Sequence, residues 1–357
     1  MERVALLTSG GDCQALNVTM RGVAKALYEM NPEIEIYGIL DGYRGLIYGN
    51  YKKLKPFDFS GLLTRGGTFI GTSRVPFKTI TEPDENGLDK VKAMISTYNK
   101  LKLDCLVILG GNGTQKTANL LSERGLNIVS LPKTIDNDIW GTDMTFGFQS
   151  AVDIATNAID SIHTTADSHG RVFIIEIMGH KAGWLALNAG IAGGADIVLI
   201  PEIPYDIKKV AAAIEKRAEQ GKRFSILAVA EGAISKEDAA LSKKELKQKI
   251  KDRQHPSISY EIGEELEKIT GQEIRITVPG HVQRGGSPCA YDRVLSSRLG
   301  AAAAKLIMEE KFGYMVAVKQ REIVPVPLSE VAGKLKTVLP DATIIKEAKS
   351  LGISFGD

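Results

Sequence analysis

Short apolar runs alternate along this chain with longer segments whose apolar residues recur every third or fourth position. "RVALLTSGG" (3–11) reads as a strand running into glycines, and residues 15–30 then place Leu16, Met20, Val23 and Leu27 on one face at helical spacing. "EIEIYGIL" (33–40) reads as a second strand behind Pro32, and "DCLVILGG" (104–111) and "LNIVSLP" (126–132) as two more with a helical segment between them. The alternation resumes with "RVFIIEIMG" (171–179), "ADIVLIPE" (195–202) and "RFSILAVAEG" (223–232), separated by helical segments near 181–191 and 207–220. A strand at 273–281 and a strong helix at 291–310 follow, while the charged stretch 233–270 reads as a solvated helical face. This rhythm predicts an α/β fold with parallel sheets flanked by helices.

The chain has 357 residues, which makes two lobes the default. With no solenoid repeat and no low-complexity linker, the lobes are expected to pack closely, with a cleft between them at the carboxyl ends of the strands. A net charge of +2 gives no general attraction to nucleic acid or membrane, so anions must be met by local clusters of Arg and Lys. Cys13, Cys105 and Cys289 are too scattered for a disulfide framework or a zinc site, so a reduced, cytoplasmic protein is expected. The opening "MERVALLTSGGD" has no signal-peptide pattern, and no apolar run is long enough to span a bilayer.

Four clusters carry candidate chemistry. "TSGGDCQALN" (8–17) places Gly11 between a strand and a helix, where backbone amides and the helix terminus suit a phosphate; a tight turn would look the same. "GGNGT" (110–114) repeats the arrangement, with Gly111 and Gly113 opening the backbone to a ligand and Thr114 able to cap the helix or touch a phosphate oxygen. "PKTIDND" (132–138) puts Asp136 and Asp138 two apart. In a strand-like segment both would face one side with Thr134, one to accept a proton and one to hold Mg²⁺; an Asx-type turn is the alternative. Arg74, Arg171, Arg275, His281 and Arg284 lie at strand ends and glycine turns, as a phosphorylated substrate would need, although each also fits a surface ion pair.

Together these segments resemble the phosphofructokinase family of bacterial glycolysis. The resemblance runs from "LTSGGD" through "RGGTFIGTSR", "GGNGT", "PKTIDND", "TFGFQSAV", "EIMGHKAGWLA", "IAGGADIVLIPE" and "AEGA" to "GHVQRGGSP" and the Asp292–Arg293 pair, about the first 310 residues. It implies two Rossmann-like lobes: 1–148 with 285–335 for the donor, ATP, and 149–284 with 336–357 for fructose 6-phosphate. It also implies a homotetramer, and phosphoryl transfer to the sugar's 1-hydroxyl. By the family's pattern Asp136 is the general base, with Thr134 and Asp138 beside it and Asp138 close to Mg²⁺. Gly11, Arg74 and residues 110–114 match the donor-phosphate site. Met178, Gly179 and Glu231 match sugar contacts, His281 and Arg284 the grip on the 6-phosphate, and Arg171 and Arg275 arginines that reach into a neighbouring subunit.

Several positions depart from the family's pattern. Asn112 replaces the usual acid of the donor loop, so a metal held there meets an uncharged oxygen. Gly113 goes with ATP in this family, whereas Lys133 is typical of pyrophosphate users and of one branch of ATP users. His180 stands where simpler members carry arginine, and Cys13–Gln14 replaces a usual Pro–Gly. Arg21 and Lys25 match part of an effector pocket, with Asp196 and Lys222 as candidates to complete it. A pyrophosphate-dependent enzyme, or a weakly active regulatory paralogue, is the competing expectation.

Overall fold

The computed structural model describes all 357 residues. Its strands are β1 (Arg3–Ser9), β2 (Glu35–Ile39), β3 (Tyr51–Leu54), β4 (Cys105–Gly110), β5 (Ile128–Pro132), β6 (Val172–Ile177), β7 (Ile197–Leu199), β8 (Ser225–Ala230), β9 (Ile274–Thr277), β10 (Tyr314–Lys319) and β11 (Glu322–Pro327). The chain forms two compact units, 1–150 with 284–336, and 151–283 with 337–357.

The first unit holds a seven-stranded sheet in the order β11-β10-β5-β4-β1-β2-β3. Its centre is parallel, and β4 is buried along its whole length, as a strand covered on both faces must be. The expected parallel sheet is extended at both edges by β3 and β11, which run antiparallel to their neighbours. Neither edge strand is a continuously buried apolar run. "YKKL" is exposed at its first three positions, and "EIVPVP" carries Pro325 and Pro327, which an edge tolerates and a central strand does not.

The second unit holds a four-stranded parallel sheet, β7-β8-β6-β9. Within 233–270 the helix Lys243–Lys251 buries nothing, as its charge suggests. The helix Ile258–Thr270, by contrast, packs Ile258, Ile262 and Leu266 into the unit's core. Arg284 and Lys336 were both expected in the second lobe and belong to the first unit. Arg284 bonds the loop after β1, and Lys336 bonds residues 137–143. All three cysteines are free, and no helix is long and apolar enough to cross a membrane.

Candidate active site

Three loops of the first unit leave the carboxyl ends of neighbouring strands β1, β4 and β5. The loop after β1 turns at Gly10, whose φ of +87° favours glycine. It is laced to residues 72–73 by Gly10 N donating to the Ser73 carbonyl (3.0 Å) and by Thr72 Oγ1 donating to the Gly10 carbonyl (2.8 Å). That lacing seats exposed Arg74 one residue beyond the loop's anchor. Two cations hold the loop's carbonyls. Lys133 Nζ donates to Gly11 O, and Arg284 Nη1 donates to Asp12 O at 3.1 Å. A Cβ on Gly11 would come within 2.7 Å of that guanidinium, so this glycine makes room for an arginine.

The loop after β4 opens the helix Asn112–Glu123 at Gly111, and no side chain caps it. Its first amides are therefore directed outward without a protein acceptor, an arrangement that suits phosphate oxygens. Thr114, a candidate cap, instead turns its hydroxyl to Ser9 O at 3.5 Å. The glycines differ in purpose. A Cβ on Gly110 would lie 2.2 Å from Thr114 Cγ2, whereas one on Gly113 would meet nothing within 4 Å. The protein's own packing explains glycine at 110, and it leaves the space at 113 open. Buried Gln115, which sequence reasoning passed over, donates to Gly110 O (3.0 Å) and Leu131 O (3.3 Å) and accepts from Ser130 Oγ, joining the ends of β4 and β5.

The loop after β5 carries the two acids, and its geometry corrects the strand-like expectation. Thr134 Oγ1 accepts from Asp136 N at 3.1 Å, a local turn closed by a hydroxyl, and Asn137 sits at φ +51°. The turn forms because the side chains offer the backbone partners that no neighbouring strand supplies. Asp136 Oδ1 is buried without a hydrogen-bond partner. Burial first, and the Asp136 charge second, push the Asp138 carboxyl up to about 6. Burial pushes Lys133 below its ordinary value. No group of three or more His, Cys, Asp or Glu side chains gathers as a ready-made metal centre.

In the second unit, Met178, Gly179 and His180 follow β6. Glu231 Oε1 accepts from Gly179 N (3.2 Å) and His180 N (2.8 Å), and Met178 N donates to Gln283 Oε1 at 3.2 Å. His281 is exposed on a short 3₁₀ turn. Arg171 and Arg275 lie elsewhere. Arg171 precedes β6 while Met178 follows it, so the six-residue strand separates them by about 20 Å. Both arginines share one carboxylate, Glu273. Asp196 is paired with Arg217 at 2.8 Å and accepts from Ile226 N, which engages the carboxylate suggested for an effector pocket.

With these loops located, comparison with known proteins decides the family. The model of the family described as Phosphofructokinase matches residues 3–307. The chain belongs to the phosphofructokinase family. It is 56% identical over 99% of its length to an ATP-dependent 6-phosphofructokinase of Spirochaeta thermophila, covering 97% of that protein. It is 47% identical to an ATP-dependent 6-phosphofructokinase of Propionibacterium freudenreichii subsp. shermanii, covering 99% of each chain. A pyrophosphate-dependent phosphofructokinase from Marinobacter aquaeolei superposes with a TM-score of 0.80 at 20% identity, over 97% of this chain and 88% of that one, which speaks for the fold alone.

In this phosphofructokinase chain, two side chains acquire contacts that no motif announces. Asn112 Nδ2 donates to Lys334 O at 2.8 Å, so the amide that replaces an acid is used as a donor. Lys336 Nζ donates to Asn137 Oδ1, Thr142 O and Asp143 O, and burial pushes its ammonium down to about 8. "AGKLKTV" offers no local signal for either contact, because both partners lie about two hundred residues away in sequence.

Proposed function

We propose that this chain is an ATP-dependent 6-phosphofructokinase. It transfers the terminal phosphoryl group of ATP to the 1-hydroxyl of fructose 6-phosphate, giving fructose 1,6-bisphosphate. The observation that carries the reading is Asp136, whose buried Oδ1 has no protein partner and lies in a loop beside two glycine loops on adjacent strand ends. A carboxylate oxygen held ready to accept is what an alcohol nucleophile needs, since phosphoryl transfer depends on positioning and spread positive charge rather than covalent chemistry.

The residues divide the work by place. The uncapped amides at 112–114 receive donor phosphate oxygens, and Arg74 adds charge from the neighbouring loop. Open space at Gly113 favours a nucleotide over pyrophosphate. Lys133 weighs less against ATP than its type suggests, because its ammonium is committed to Gly11 O. Asp136 takes the 1-hydroxyl proton as the oxygen attacks. Thr134, bonded to Asp136 N, fixes the turn that aims it.

Asp138 suits Mg²⁺. Its carboxyl is held high by burial and by a neighbouring negative charge, which a cation would relieve. With no larger acidic cluster present, the ion would keep waters and phosphate oxygens as its other ligands and neutralise charge on the transferring group. Asn112 is the weaker candidate ligand, since its amide nitrogen is anchored to Lys334 O.

Met178, Gly179, His180 and Glu231 are assigned to the sugar and His281 to its phosphate, with Arg284 able to join it only through guanidinium nitrogens other than the Nη1 bonded to Asp12 O. Arg171 and Arg275, near the start of β6 while Met178 follows its end, are assigned to complete a neighbour's site in a homotetramer, and the protein is assigned to the cytoplasm. A coupled assay of the purified chain with fructose 6-phosphate, Mg²⁺ and either ATP or pyrophosphate tests the reading. Turnover with ATP is expected. Turnover with pyrophosphate alone would overturn the donor assignment, and none with either donor would overturn the activity.

A further inference from the structure

The segment 334–336 bonds two of the first unit's three loops, those after β4 and β5. Lys334 O accepts from Asn112 Nδ2 (2.8 Å), at the first residue of the donor-loop helix. Leu335 pairs as an antiparallel bridge with Ile139. Lys336 N donates to Asp138 O at 2.8 Å, and its Nζ donates to Asn137 Oδ1 (2.9 Å), Thr142 O (2.8 Å) and Asp143 O (2.9 Å). All three ammonium hydrogens thus have acceptors within the loop that carries Asp136 and Asp138.

Between those two acids sits Asn137 at φ +51°, in the left-handed region that asparagine enters more readily than most other residues with a Cβ. Its Oδ1 accepts from Thr145 N (3.0 Å) as well as from Lys336. These bonds fix the backbone in that conformation, and with it the directions in which the flanking carboxylates leave it. We propose that residues 334–336 form a positioning strap for this site, with Lys336 as its decisive side chain. The strap also gives position 112 a reason to be an amide. A carboxylate there has no hydrogen to donate to Lys334 O and would face the carbonyl's negative end.

The proposal rests on the reading of Asp136 as the general base, and the test separates the two. Lys336→Met, Lys336→Arg and Asp136→Asn are compared by steady-state kinetics, with amide hydrogen exchange over residues 136–145. Lys336→Met is expected to lower kcat by about 10- to 100-fold, as small misplacements of reacting groups do. Both KM values should stay within about threefold, with faster exchange at Thr145 N and partial recovery in Lys336→Arg. A folded Lys336→Met with kcat within about twofold of the parent overturns the strap.

Should Lys336→Met fail to fold, Asn137→Gly decides. Glycine accepts the left-handed backbone while deleting the acceptor. The same fall in kcat is expected in protein that still melts cooperatively, at a somewhat lower temperature because Thr145 N and Lys336 lose an acceptor, and parental kcat overturns the proposal. Full activity in Asp136→Asn would remove the assignment of the base. Loss there, without loss in Lys336→Met, would remove only the strap.

Discussion

The ammonium of Lys133 donates to the carbonyl of Gly11, 122 residues earlier in the chain, and so ties the loop after β5 to the loop after β1. Cβ atoms built on Gly10 and Gly111 would stand 3.5 and 3.9 Å from the same nitrogen, so the cation lies between the two glycine loops. A charge-assisted bond of this kind is worth about 1.5–3 kcal/mol. Lys133→Met frees the two glycine loops from each other, so ordering them falls to the ligand, and the KM for ATP should rise about 10-fold while kcat changes little. Initial-rate kinetics check this, and an unchanged KM for ATP would reduce Lys133 to a packing residue.

Asp136→Asn keeps the shape of the side chain and removes its capacity to accept the hydroxyl proton. The expected result is a fall in kcat of about 10²–10⁴, with KM values within about twofold. Near-normal turnover would show that another group accepts the proton.

Gly110 and Gly113 should fail in opposite ways. Gly110→Ala forces a Cβ against Thr114 and should lower stability by about 1–3 kcal/mol, read as a fall in melting temperature. A Cβ at 113 meets nothing within 4 Å, so in Gly113→Asp the melting temperature should hold while the KM for ATP rises about 10-fold or more through like-charge repulsion of the donor phosphates. Unchanged ATP kinetics in Gly113→Asp would take the nucleotide away from this loop.

Asp138 gives a pH dependence. Its folded value of about 6 lies above the ordinary 3.8, so the folded chain binds this proton more tightly than the unfolded chain does. The stability it contributes is present below pH 4 and is lost as pH rises through 6. In metal-free protein at pH 7.5, Asp138→Asn should be more stable by about 1–3 kcal/mol, and the gain should vanish near pH 4. Thermal melts in EDTA across that range check it; an equal difference at both ends would mean that ionisation is not the cause.

By itself the sequence determined what periodicity and side-chain chemistry can report. The apolar runs at β1, β4, β5, β6 and β8 are strands because a buried parallel strand must be apolar on both faces. Glycines at their ends, with Asp136 and Asp138 after β5, pointed to the phosphate site proposed above, because few residue types serve that chemistry. The family's long motifs narrowed it to a phosphosugar kinase.

Only the tertiary structure decided the rest. It set β3 and β11 as antiparallel edges, since strand direction depends on pairing and neither the polar YKKL nor the proline-broken EIVPVP reports it. It turned Asn137 into the left-handed region and gave Arg284 to the first glycine loop. It also brought Lys334 and Lys336 onto Asn112 and Asn137. Each of these depends on hydrogen bonds between residues far apart in the chain. A local pattern of polar and apolar positions says which groups need partners; only the folded backbone says which partners they find.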